Sequence, residues 1–220
     1  MNLAVQNLFD DCVVLLSIDL QILDITPTAG LLATQPQSVI DSYLHRMETV
    51  VIPNVRQLQE KFRQHTQEVI HARIQSMTLD GRDRSISHKK LGIHVYPDDP
   101  MGHFIDDVAP KGDEMIFNKT ASGVFNSTHL HYVLTNMNVS TIIVCGVFTD
   151  ECVESTIRAG ADLGYHMILI SDACAAITPQ RHQRTIDTLH HRYALACSTS
   201  DILQIIDQKW PSSRSSIITK

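Results

Sequence analysis

The chain has 220 residues, 43% of them hydrophobic and 19% charged, an ordinary globular composition with enough length to bury a core without staples. Its formal net charge is −6, with no cluster of Lys and Arg, which argues against nucleic acid as a partner. The apolar run 12–20 is too short to cross a bilayer and is broken by Asp19. Five cysteines, an odd number, with no CxxC pair and no secretory signal, predict a reducing, cytoplasmic setting rather than a disulfide framework.

The first predicted element is a strand over 12–19, CVVLLSID. A helix follows over 38–64, with apolar positions at the three-four spacing of an amphipathic helix, and Pro53 should kink or divide it. A second strand, EVIHARI, covers 68–74. The stretch 75–112 is polar, rich in Gly, Pro and Asp, and without periodicity. A connection that long is commonly a functional loop. Strands are then predicted over 114–119, 141–147, 166–172 and 193–198, and helices over 127–137, 152–164 and 179–192. Gly164 suits the C-terminal cap of the middle helix and Pro179 the first turn of the last. A domain over 1–205 is expected, with 206–220 a frayed tail or an arm on a partner subunit.

Near-continuous Val/Ile/Leu runs alternating with helices indicate a parallel sheet covered on both faces, with the first strand central. Ligands bind such sheets outside the carboxyl ends of the strands. That rule brings together Asp19 at the end of strand one, Lys119 at the end of strand three, and Cys152 just after strand four. A thiol at a helix N-terminus beside a cation has a lowered pKa, so Cys152 is expected to be an activated nucleophile. Asp19 would shuttle its proton and Lys119 would stabilise the charge. The turn before the helix supplies backbone N–H groups for a carbonyl oxyanion, each worth about 3–4 kcal/mol. The amides of Phe148 and Cys152 are the candidates. Cys12, Cys145 and Cys197 lie in apolar strands and read as core packing.

The stretches SIDLQ, FNKTASGVFNST and CGVFTDECVESTIRAGADLGYHMILISDACAA together resemble the isochorismatase-like cysteine hydrolase superfamily, over about residues 12–205. The resemblance implies a Rossmann-like three-layer α/β sandwich whose mostly parallel six-stranded sheet has the order 3-2-1-4-5-6. It implies an Asp-Lys-Cys triad at Asp19, Lys119 and Cys152, and a cis Val147–Phe148 peptide bond. The reaction it implies is thiolate attack on a carbonyl, loss of ammonia or an amine, and hydrolysis of the thioester. A small-molecule amide, ureide or carbamoyl substrate and a homodimer or homotetramer are the partners implied.

Nicotinamidase relatives carry a metal-binding Asp-x-His after strand two. HARIQSM stands there instead, so neither a metal nor an organic cofactor is expected. The alternatives are a nicotinamidase-like amidase and a catalytically idle binding subunit. Gln21, Arg73, Asn126 and Thr149 are candidate substrate contacts. Each has another reading: a turn role for Gln21, an ion pair for Arg73, a helix cap for Asn126, and for Thr149 a hydroxyl that holds the turn or caps the helix. His71 reads as a satisfied core histidine, and one of His88, His94 and His103 is a candidate for the pocket.

Overall fold

The computed structural model describes residues 8, 9 and 12–210. Its six-stranded sheet has the order β3-β2-β1-β4-β5-β6, and every pairing is parallel. The strands are β1 (Cys12–Ile18), β2 (Val69–Ile74), β3 (Ile116–Lys119), β4 (Val139–Val147), β5 (His166–Ala175) and β6 (Leu195–Cys197). The central place of β1 and the sheet order are those expected from the sequence.

β1 explains why its run is apolar without alternation. Val13 and Leu15 pack into one core layer, while Val14, Leu16 and Ile18 pack into the other. Helices cover both faces. The first layer is built with α1 (Gln37–Arg46), α2 (Ile52–Gln64) and α8 (Thr199–Lys209), and the second with α5 (Leu130–Asn136), α6 (Glu154–Asp162) and α7 (Pro179–Leu189). Both sides of β1 are therefore dry, and each fully buried aliphatic side chain contributes about 1.5–3 kcal/mol to the hydrophobic driving force.

The long helix expected over 38–64 is two segments joined by a π turn, Met47–Val51. Pro53 lies in the first turn of α2, where its missing N–H leaves no ladder bond broken. The helix expected over 127–137 is also two pieces, α4 (Val124–Ser127) and α5. Asn126 and Ser127 lie inside α4, and the N-cap of α5 is His129, which corrects their reading as caps. The helix after β4 begins with a π turn, Thr149–Val153, and Gly164 follows its last turn at φ 96°.

The 75–112 segment contains only the five-residue α3 (Ile86–Lys90) and short 3-10 turns. At the other end of the chain, the expected domain limit at 205/206 falls inside α8. Ile206 is in the core and Trp210 packs against Phe9 and Phe62. The rest of the expected tail, 211–220, lies outside the described residues. Cys145 and Cys174 are buried but Cys12 is exposed, because it opens an edge of the core rather than filling it. Among the described residues no helix is long and apolar enough to cross a membrane.

Candidate active site

Three strand ends converge on one point. Ile18 pairs with Ala72 on one side and Gly146 on the other, and Ile74 pairs with Lys119. Asp19 leaves β1 in the left-handed region, at φ 52°, a conformation that Asp tolerates better than most residues. Its N–H still donates to Ala72 at 2.9 Å, so the residue is held against the neighbouring strand. Gly146 lets β4 lie close to β1: a Cβ there would sit 2.0 Å from the Ile18 carbonyl oxygen. The Val147–Phe148 peptide bond that follows is cis.

Lys119 Nζ lies 2.9 Å from Asp19 Oδ2, 3.2 Å from Cys152 Sγ and 3.1 Å from the Ala121 carbonyl oxygen. An ammonium has three hydrogens to donate, so these partners account for all of them. Lys119 is fully buried and Asp19 nearly so. Burial works against the Lys119 charge, but Asp19 and Cys152 more than offset it and its pKa is raised.

The thiol departs from expectation. A lowered pKa was predicted from the helix terminus and Lys119. Burial instead pushes the Cys152 thiol well above its ordinary value, and the nearby Asp19 charge adds to this against the pull of Lys119. Burial also raises the Asp19 carboxyl despite Lys119. The resting group is therefore a thiol beside a base, not a standing thiolate. Asp150 and Glu151, which threatened to add negative charge, are both paired with Arg181 of α7.

The triad opens into a narrow cleft also lined by Leu23, Asp24, Leu31, Ile74, His88, Leu91, Ile93, Phe148 and Glu151. Its free volume is about 20 Å³, little more than one water molecule. Asp24 and His88 came from no motif. Asp24 is an acid inside the apolar run ILDI, a weak signal, and nothing local separates His88 from His94 and His103. Burial, then Lys119 and Arg84, lower the His88 pKa to about 4, so it is neutral near pH 7.

The expected substrate contacts are placed elsewhere. Gln21 is buried and staples two strand ends: its Nε2 donates to the Ile74 and Met101 carbonyls, and its Oε1 accepts from the Ile74 N–H. Arg73 donates to Asn118, the Gly102 carbonyl and Gln75, and stacks over Phe104. Asn126 is exposed and lines a different depression, beside Ser155 and Arg158. Thr149 is buried beneath the nucleophile turn, its Oγ1 2.8 Å from His182 Nδ1. Arg46 can only donate to His182 Nε2, at 3.1 Å, so Nδ1 carries the proton and donates it to Thr149. This network ties the turn to α1 and α7.

The Isochorismatase domain family model matches residues 14–201. The chain belongs to the isochorismatase family. Within that family it is 27% identical to the uncharacterized isochorismatase family protein YwoC of Bacillus subtilis, over 70% of this chain and 82% of YwoC. It is 25% identical to N-carbamoylsarcosine amidase of an Arthrobacter species, over 73% of this chain and 62% of the amidase. The solved structure of a cysteine hydrolase from Pseudomonas syringae superposes with a TM-score of 0.75 at 25% identity, covering 90% of this chain and 93% of that one. This isochorismatase-family hydrolase presents, among its described residues, no group of three His, Cys, Asp or Glu side chains placed to hold a metal ion.

Proposed function

We propose that the protein is a cysteine hydrolase that cleaves a C–N amide, ureide or carbamoyl bond of a small metabolite through a thioester. The observation that carries this reading is the fully buried ammonium of Lys119, placed against both Asp19 and Cys152, which line a cleft. In this reading Asp19 takes the Cys152 proton as sulfur attacks the carbonyl carbon. The oxyanion is held by the amides of Phe148 and Cys152, both in the tight turn after β4. Asp19 returns the proton to the departing nitrogen, and ammonia or an amine leaves. Water then attacks the thioester with Asp19 as base, releasing the acid and restoring the thiol. Lys119 keeps its charge throughout and offsets the negative charge that passes between carboxylate and sulfur.

The relatives named for acting on amides and ureides, N-carbamoylsarcosine amidase and ureidoacrylate amidohydrolase, support the bond type. A thiol nucleophile suits a reducing compartment, and the cytoplasm is the setting proposed. A homodimer or homotetramer is proposed as well, supported by Met77, Leu79 and Ile86, each more than 70% exposed. The test is an ammonia-release screen over small amides, ureides and carbamoyl acids, run beside Cys152→Ala. At least one compound should be turned over by the wild type, and the substitution should reduce that rate about 10⁴-fold or more. Activity surviving it would reject the mechanism.

A further inference from the structure

The proposed mechanism has no use for a second carboxyl that the cleft contains. Asp24 lies in the 3-10 turn Ile22–Ile25, is 6% exposed, and lines the same cleft as Asp19 and Cys152. Its Oδ2 has no hydrogen-bond partner among the described residues. A buried acceptor left unsatisfied is destabilising, and a group held so at a cleft wall is poised for a donor from outside.

The charges around it restrict what that donor belongs to. Three carboxyls line the cleft, those of Asp19, Asp24 and Glu151, and among the described residues no Lys or Arg does. Nearby cations are already engaged. Lys119 is shared among Asp19, Cys152 and the Ala121 carbonyl, and Arg181 holds Asp150 and Glu151. Arg73, one of the candidate substrate contacts, is committed to Asn118, Gly102 and Gln75. Burial, then the neighbouring Asp19, pushes the Asp24 carboxyl well above its ordinary value, so a substrate carrying a carboxylate at its non-reacting end would be desolvated among acidic side chains with no counterion, which is strongly unfavourable in a dry site. A substrate end bearing N–H groups would satisfy the Asp24 oxygen.

Resting on the hydrolase reading, we infer that Asp24 is a specificity-determining residue that accepts hydrogen bonds from N–H groups at the non-reacting end of the substrate. The substrates are then neutral or cationic amides and ureides, not those ending in a carboxylate. A polar site that recognises a donor discriminates strongly against analogues lacking it, because its own group is left unpaired.

The test uses matched pairs that differ only at the far end, succinamide against succinamate and malonamide against malonamate. Two readouts are taken: kcat/KM for ammonia release by the wild type, and binding to Cys152→Ala by calorimetry. The diamide of each pair should be favoured about tenfold or more in both. In Asp24→Leu that ratio should fall to within about threefold of unity, and Asp24→Asn, which keeps the shape, should lower it as well and serves if the Leu variant fails to fold. Preference for the carboxylate member, a ratio unchanged by both substitutions, or failure of both diamides to bind Cys152→Ala would overturn the inference. Turnover without preference rejects the role of Asp24 and leaves the hydrolase reading standing. Preference in binding without turnover rejects the hydrolase reading and leaves the recognition standing.

Discussion

The sheet carries two clusters in which a carboxyl meets a cation, a buried one and a partly buried one at opposite ends of its strands. At the carboxyl end Asp19 and Lys119 meet the thiol of Cys152. Toward the other end, Glu114 takes a two-pronged ion pair from Arg63 at 2.6 and 2.9 Å, with His71 Nε2 at 2.9 Å and the Lys111 N–H at 2.9 Å. Burial alone would raise the Glu114 carboxyl, but hydrogen bonds from Arg63, the Lys111 amide and His71 hold it below its ordinary value. Asp19 moves the opposite way, because burial outweighs its one cation. A carboxylate with its lone pairs filled is inert and fixes structure. One that is buried and under-partnered keeps its affinity for a proton, which is what a base beside a thiol requires.

The sharpest way to break this contrast is Asp19→Asn. Removing the base should lower kcat/KM by about 10²–10⁴-fold, and alkylation of Cys152 by iodoacetamide should slow with it, since burial disfavours a spontaneous thiolate. If Asp19→Asn leaves alkylation unchanged, the base-assisted thiol is wrong. In the wild type, activity should fall as pH drops through the Asp19 pKa, and this acid limb should lie above the ordinary carboxylate value of about 4.

Glu114→Gln probes the inert cluster. It leaves Arg63 a partly buried cation without its counterion and should cost about 1–3 kcal/mol of stability in urea unfolding. The acid limb of kcat/KM should not move, and a shifted limb would mean that the two clusters are coupled.

A smaller effect belongs to the scaffold beneath the nucleophile. His182 is kept neutral by burial, then by Arg46, with its pKa lowered to about 4. An unfolded chain protonates the ring below about 6.5. The stabilisation from the neutral ring is thus complete above that pH and is lost progressively between 6.5 and 4 as protons favour the unfolded state. His88 loses stabilisation in the same window. The wild type should be on the order of 1 kcal/mol less stable at pH 5 than at pH 7 from His182, and His182→Gln should flatten that slope. An unchanged slope would mean that the ring is already charged.

The meeting of Asp19, Lys119 and Cys152 was legible because each is tied to a strand end, and strand ends can be read from apolar runs. The same logic located the Phe148–Cys152 turn and the cap glycine at 164. Pro53 likewise announced the division of the helix at 38–64, though not the π turn Met47–Val51 that makes it. The logic failed for the substrate contacts. Gln21, Arg73 and Thr149 have the right chemistry near the right strand ends, but their polar atoms are used by Ile74, Met101, Asn118, Gly102, Gln75 and His182. Those partners lie up to 80 residues away in the chain, and no local pattern announces them.

By itself the sequence determined the layers, the parallel sheet, and which residues end its central strands. Hydrophobic periodicity is local, and it dictates how each segment buries itself. Only the tertiary structure decided the direction in which the Cys152 thiol shifts, the sharing of one ammonium between two partners, and the presence of Asp24 and His88 in the cleft. A group's solvation depends on what covers it, and here the cover comes from distant segments of the chain.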